Sequence, residues 1–180
     1  MFIDLIRNRR SIRKFTNEAI EADKIEVLKE AALRPPSSMG HNPWEYVIVN
    51  DPQLLAGLSK AKPHGSSFMA DARLGIVVCA DPEKSAVWIE DASIATMFIQ
   101  LAAESLGLGS CWVQVRGRMH DDNKSAGTYI ADLLNIPSNL EVESVVGIGY
   151  PAEEKPPHTR EELQDEKIFL NSYGSPYSQK

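Results

Sequence analysis

Cysteine is scarce in this sequence, and Cys79 and Cys111 form neither a CxxC pair nor any metal-ligand spacing. That excludes a disulfide framework and a thiolate-bound metal, and leaves two buried reduced thiols as the expectation. His41, His64, His120 and His158 include no i, i+4 helical pair and no HExxH-like pattern, so no metal site is expected. Long apolar runs are missing too: nothing approaches the ~20 residues of a membrane span, and the N-terminus lacks an apolar core with a cleavage site. These absences point to a cytoplasmic protein. Proline and glycine are not in excess and there are no repeats, which removes fibrous and disordered classes. Positive charge is in deficit as well. A formal charge of −6 argues against partners that attract through phosphate, nucleic acid and anionic membrane alike.

What remains is an ordinary globular composition, 43% hydrophobic and 24% charged, in 180 residues. Such a chain buries roughly two-thirds of its unfolded surface as one domain. The charge is unevenly placed: Arg7, Arg9, Arg10, Arg13 and Lys14 crowd one end, and Glu153, Glu154, Glu161, Glu162, Asp165 and Glu166 load the other.

Phe2, Leu5 and Ile6 predict a helix to about Asn8, which the basic segment from Arg9 to Phe15 interrupts. Asp23 and Glu26 suggest a capping box for a helix with Ile25, Leu28, Ala31 and Ala32 inward, stopped by Pro35-Pro36. Strands are expected at Trp44 to Val49, Leu74 to Ala80, Cys111 to Val115 and Val142 to Tyr150. Helices are expected from Asp51-Pro52 to about Ala61, from Ala86 to Leu106 and from Ser125 to Asn135. Gly107 and Gly109 read as a helix C-cap and a tight turn. Pro151 to Pro157 reads as a stiff linker to a polar tail whose apolar island is Ile168, Phe169, Leu170 and Tyr173.

Three segments carry chemistry. In Arg9-Arg10-Ser11-Ile12-Arg13-Lys14-Phe15, forked guanidinium donors and a hydroxyl suit a phosphate; a solvated basic face is the plainer alternative. Pro35 to Trp44 is a stiff loop offering hydroxyls and an amide directly before a strand, although the same residues also serve simple turns. Leu106 to Trp112 and Val145 to Pro151 each hold a pair of glycines; Gly107 and Gly109 lack the GxGxxG spacing and follow a helix instead of a strand, so a Rossmann assignment is poor.

In their order, these pieces resemble the nitroreductase-like flavoprotein family: an Arg-Arg-Ser-x-Arg-Lys-Phe opening, a Pro-Ser-Ser-x-x-x-Asn-Pro-Trp loop, a Leu-Gly-Leu-Gly-Ser-Cys-Trp turn and a Gly-x-Gly-Tyr-Pro close, spanning Met1 to about Arg160. The resemblance implies an α+β fold with a central mixed, mainly antiparallel sheet flanked by helices. It also implies an intertwined homodimer holding FMN between subunits. By similarity Arg9, Arg10 and Ser11 lie at the phosphate and ribityl chain, and Arg13 near flavin N1 and O2, where a cation offsets the charge that two-electron reduction leaves. The loop residues Pro36, Ser37, Ser38 and Asn42 would come from the other subunit, with Asn42 standing where the family commonly has glutamine. Val113, Gln114 and Val115 would meet the flavin plane through the backbone. Arg160 is the expected second basic group at the phosphate, with Lys155 and His158 in reserve.

The implied organisation is an FMN-binding domain over 1–150 and an extension over 151–180 wrapping the partner, with Lys167 to Asn171 adding an edge strand to the partner's sheet. The implied activity is transfer of hydride from NADH or NADPH to FMN and onward to an electron-poor small molecule such as a nitroaromatic or quinone. Because the cofactor carries that chemistry, no catalytic side chain is named. A flavin-storing or flavin-sensing protein without turnover is the alternative. A basic-arm nucleic-acid binder is a weaker one, since no aromatics interleave the cations.

Overall fold

Four antiparallel strands in the order β1-β2-β4-β3 form the centre of the chain: β1 Trp44–Val49, β2 Leu74–Ala80, β3 Gly109–Gln114 and β4 Glu141–Gly149. The computed structural model describes residues 1–177. Five α-helices accompany the sheet among these residues: α1 Phe2–Asn8, α2 Ala22–Leu33, α3 Pro52–Leu58, α4 Trp88–Ser105 and α5 Ala126–Leu134.

The two inner strands are buried on both faces, and their side chains alternate between two cores. Leu74, Ile76, Val78 and Ala80 of β2, with Val146 and Ile148 of β4, pack on Leu28 and Ala32 of α2 and on Ala92, Ile99 and Ala103 of α4. Val77, Cys79 and Val145 face the other way, onto Leu55 and Leu58 of α3 and Ile130 of α5. This period of two explains why β2 reads as one apolar run. Both cysteines are free and buried, and burial pushes the Cys79 thiol up to about 12.

Local chemistry fixes the helix ends. Asp51 Oδ1 accepts from Gln53 N at 2.8 Å and Leu54 N at 3.0 Å to cap α3, and Ser125 Oγ accepts from Thr128 N at 3.0 Å to cap α5. Gly107, at φ 73°, turns the chain out of α4, and Leu108 N donates to Ala103 O at 2.9 Å. The expected capping box at Asp23 is absent: Glu21 is the N-cap of α2, and Asp23 lies inside the first turn, where it serves the helix dipole instead. Gly109 belongs to β3 and not to the turn, so that strand starts two residues earlier than its apolar stretch suggests.

Among the described residues the sheet has a parallel element only at its margin, a single bridge from Ser11 to Ser110. On the helical side, Phe2 and Leu5 of α1, Ala31 of α2, and Phe98 and Leu101 of α4 line an apolar groove of about 300 Å³, with Phe2 64% exposed. The extension also departs from expectation. Its apolar island closes on itself, with a bridge from Phe169 to Pro176, Leu170 N donating to Ser175 O at 2.8 Å and Tyr177 N to Ile168 O at 3.0 Å. An edge strand over Lys167 to Asn171 is not formed within the chain: Asp165–Lys167 is a 3-10 turn, and every described residue from Thr159 onward except Phe169 is exposed. Residues 178–180 lie outside the described residues.

Candidate functional site

The basic segment is held against the sheet by its two apolar members. After α1 closes through Arg9 N donating to Leu5 O at 2.9 Å, Ile12 N donates to Ser110 O at 3.0 Å and Thr16 N to Tyr150 O at 2.9 Å. Ile12 and Phe15 are each 8% exposed and lie over Gly109 and Gly149, which face one another across the β3/β4 ladder. A Cβ on Gly109 would stand 2.8 Å from Ile12 Cγ2, and one on Gly149 2.9 Å from Phe15 Cδ1. The glycine pair is therefore the floor on which the segment lies. With Ile12 turned inward, the extended chain directs Ser11 and Arg13 away from the floor.

The cations converge. Burial pushes the Cys111 thiol up, while Arg13, the Ser11 hydroxyl, Lys155 and Arg9 all act on it in the opposite sense. Among the described residues neither Arg9, Arg10 nor Arg13 forms an ion pair with a carboxylate. The linker fastens the segment from outside: Arg10 donates to Pro156 O, Lys155 Nζ to Ser11 O at 2.6 Å, Arg13 N to Glu153 Oε1 at 2.7 Å and Ala152 N to Lys14 O at 2.8 Å. The cleft between them, about 630 Å³, is lined by Arg10, Ile12, Glu104, Gly109, Glu153 and Lys155 among others. Lys155, which lines this cleft, also pairs with Glu153 at 3.1 Å, while Arg9, Arg13 and the Ser11 hydroxyl gather with it around Cys111; two guanidinium groups without carboxylate partners, an ammonium and a hydroxyl form a donor set that fits a phosphate ester.

Arg160 is not in this cluster. Its guanidinium meets Asp165 of its own tail, at 3.0 and 2.5 Å. His158 is likewise taken up, by Glu162 at 2.8 Å. Lys155, held in reserve by the sequence reading, is the basic residue of this region that reaches Ser11.

The Pro-Ser-Ser loop is built as a closed unit. Ser37 Oγ donates to Asn42 Oδ1 at 2.8 Å and accepts from Asn42 N at 2.9 Å. Ser38 N donates to Asp91 Oδ1 at 2.9 Å, while Asp91 Oδ2 accepts from Ser85 Oγ at 2.9 Å, so a carboxylate only 3% exposed anchors the loop to α4. Pro36 and Ser38 are exposed and Ser37 half-buried, and the tip carries Met39, 90% exposed, at φ 50°.

The structure does not bring this loop to the basic segment. The loop enters β1 at Trp44, opposite Ala80, whereas Ser11 pairs at the Gly109/Gly149 end of β3. The two lie at opposite edges and opposite ends of the sheet. Four strand spacings across, counting the Ser11 bridge outside β3, and about six residues along place them roughly 25–30 Å apart on the diagonal.

At the far end of β3, Val113 and Gln114 present different groups. Ser110 O faces outward to Ile12, and Gln114 O accepts from Lys62 Nζ at 3.0 Å, so the even-numbered residues direct their backbone away from β4. Gln114 therefore offers its main chain to the open edge, while Val113 turns its main chain to β4 and its side chain into the core. The Gln114 side chain accepts from Trp112 Nε1 and donates to Arg116 O, each at 3.0 Å. Lys62, His64, Gln114 and Arg118 line a cavity of about 340 Å³ here, and burial followed by the charge of Arg118 pushes the Lys62 amine down. Neither Lys62 nor Arg118 was singled out by the sequence.

Set beside known proteins, this arrangement has a family. The model of the Nitroreductase family matches residues 6–64 and 60–150, and the chain belongs to that family. An FMN-dependent nitroreductase from Clostridium difficile is 45% identical, with a TM-score of 0.94 over 95% of this chain and 99% of that one. A protein of Archaeoglobus fulgidus named “Putative NADH dehydrogenase/NAD(P)H nitroreductase” is 39% identical over 85% of this chain and 87% of the relative. An FMN reductase [NAD(P)H] of Bacillus subtilis is 25% identical over 94% of this chain and 74% of the relative. Among the described residues no helix is long and apolar enough to cross a membrane, and no group of His, Cys, Asp or Glu could hold a metal ion.

Proposed function

We propose that this chain is an FMN-dependent NAD(P)H oxidoreductase that works as a homodimer and reduces a small electron-poor acceptor, a nitroaromatic or a quinone. Bound FMN supplies two-electron chemistry between NAD(P)H and that acceptor. The observation that carries the reading is the cluster of Arg9, Ser11, Arg13 and Lys155 at the glycine floor, cationic and, among the described residues, with neither of its two arginines in a carboxylate ion pair.

In this reading Arg9, Ser11 and Lys155 hold the phosphate, with Arg10 buttressing the linker through Pro156 O. Arg13 holds a positive charge at the N1/O2 side of the ring. The outward backbone of Gln114 orients the far edge of the cofactor. Pro36, Ser37, Ser38 and Asn42 reach the site from the second chain, which the diagonal separation within one chain favours. The groove of Phe2, Ala31, Phe98 and Leu101 supplies apolar surface for that pairing. Arg160 joins the phosphate only if its pair with Asp165 opens in the dimer. Lys62 and Arg118 offer cations to a nitro or quinone oxygen at the Gln114 cavity.

The test is direct. Purified protein should be yellow, release FMN on denaturation, sediment as a dimer and consume NADH or NADPH only when an acceptor is supplied. A colourless monomer that does not bind added FMN would overturn the assignment, and a yellow dimer without turnover would leave a flavin store.

A further inference from the structure

A β-bulge in β4 gives the sheet a carboxylate that the reading above does not use. Val78 pairs with Ser144 and Cys79 with Val142, so Glu143 is the extra residue and both it and Ser144 turn toward α4. Ser144 is provided for by Thr96, Oγ to Oγ at 2.8 Å. Glu143 is provided for only by charge: its side chain is 3% exposed, Oε2 has no hydrogen-bond partner, and Arg116 Nε forms an ion pair with it at 3.3 Å. Buried carboxylates left in this condition are costly and call for an explanation.

The same residue grips the segment that follows β3. Glu143 O accepts from Val115 N at 3.2 Å and from Arg116 N at 3.0 Å, and Arg118 N donates to Val115 O at 3.0 Å to close a turn with Gly117 at φ 70°. That turn continues directly from Gln114. The groups around the carboxylate are Arg116 from the turn, Gln114 from β3, and Ser93 and Glu90 from α4; burial is the largest influence on it and raises its affinity for a proton.

We propose that the Glu143 carboxylate is a positioning group that holds the Arg116 guanidinium at the outer end of β3, beside the turn that its main chain fastens, and that its buried charge opposes electron gain by the cofactor lying along that strand. The inference rests on the FMN reading above. Reduction adds negative charge to the bound cofactor, and a carboxylate held out of water nearby disfavours that gain more than an exposed one does.

The experiment is a redox titration of FMN-loaded protein in mildly alkaline buffer, comparing wild type with Glu143→Gln and Arg116→Gln. Glu143→Gln keeps the shape and loses the charge, and should raise the midpoint potential by about 30 mV, a tenfold change in a two-electron equilibrium. Arg116→Gln leaves the carboxylate unpaired and should move the potential in the opposite direction, which keeps the idea testable should Glu143→Gln fold poorly. Denaturant unfolding of the apoprotein provides a readout independent of the cofactor. Variants that change stability or FMN affinity while both potentials stay at the wild-type value would show Glu143 to be structural only and overturn the proposal. Failure of every variant and of wild type to bind FMN would instead sink the functional reading, leaving the two outcomes separable.

Discussion

Gly109→Ala is the sharpest perturbation the structure offers, because its consequence passes through one neighbour. The new Cβ would meet Ile12 Cγ2 at 2.8 Å, Cβ at 2.9 Å and Cγ1 at 3.2 Å, against ordinary contact beyond 3.4 Å. Ile12 Cβ is not a flexible tip, so the backbone of the basic segment must retreat by about half an ångström, and overpacking of this kind costs ~1 to 3 kcal/mol. The retreat carries Ser11 and Arg13 with it and strains the Ile12 N to Ser110 O bond of 3.0 Å. Loss of one charge-assisted contact, ~1.5 to 3 kcal/mol, then translates to FMN binding weaker by about tenfold or more. Urea unfolding of the apoprotein and quenching of FMN fluorescence read the two effects separately. Ile12→Ala in the same chain should relieve only part of the clash, since its Cβ remains, giving a coupling of ~0.5 to 3 kcal/mol. Gly174→Ala, in the extension, is the control: nothing lies within 4 Å, but φ is 85°, so stability should fall by ~1 to 2 kcal/mol from backbone strain with FMN affinity unchanged. Equal FMN affinity in wild type and Gly109→Ala would refute the argument that the glycine floor positions the cations.

Arg9→Ala should weaken FMN retention by ~1.5 to 3 kcal/mol, while Arg7→Ala, an exposed residue paired with Asp4, should change it little; equilibrium dialysis decides. Arg13→Ala should keep FMN bound and lower its midpoint potential, ~30 mV for each 1.4 kcal/mol, and an unmoved potential would remove Arg13 from the ring. Asp91→Asn keeps the shape but removes the charge that holds Ser38 N and Ser85 Oγ, so the loop should loosen at a cost of ~1 to 3 kcal/mol, seen as faster hydrogen exchange across Ser37 to Asn42. The folded state raises the Glu143 carboxyl above its ordinary 4.5, so it binds a proton more tightly than the unfolded chain does. Its contribution is complete below that ordinary value and lost as pH rises through the raised one. Apoprotein stability should fall over that window in wild type and lose this slope in Glu143→Gln.

The elements with strong period or composition were legible. β2 reads as a strand because both its faces are covered, α3 because Asp51 and Pro52 mark its start, and α5 because Ser125 and Asn135 bound it. The errors share a cause. Glu21 displaced Asp23 as the cap of α2, and Gly109 entered β3, because both boundaries follow from tertiary contacts that outweigh local preference. The apolar island of the extension suggests an edge strand for a partner's sheet, yet within the chain Asn171 at φ 66° and Gly174 at φ 85° let it fold back on Pro176. Both residue types reach positive φ at low cost, but nothing in a polar tail announces where the turn will fall.

The site divides along the same line. Motif order marks the candidate segments, because the residue types a phosphate requires are the same wherever the chain folds. Their commitments depended on register, which a sequence does not display. Pairing of Ser11 with Ser110 decides that Gln114 and not Val113 turns its main chain outward, since one step along a strand reverses direction. Likewise the bulge at Glu143 is one residue of slippage between β2 and β4, and it converts a position that would alternate toward one core into a buried charge facing the other. Lys155 over Arg160 follows from the linker crossing the end of β4, where five residues past Tyr150 suffice to reach Ser11. The diagonal placement of the loop is the largest such effect. Two motifs that neighbour the same cofactor in the functional reading occupy opposite corners of one sheet, and in the homodimer proposed above a twofold axis would bring one copy of each together twice. A site split in this way forms only on association, so FMN affinity should rise with protein concentration across the monomer–dimer range.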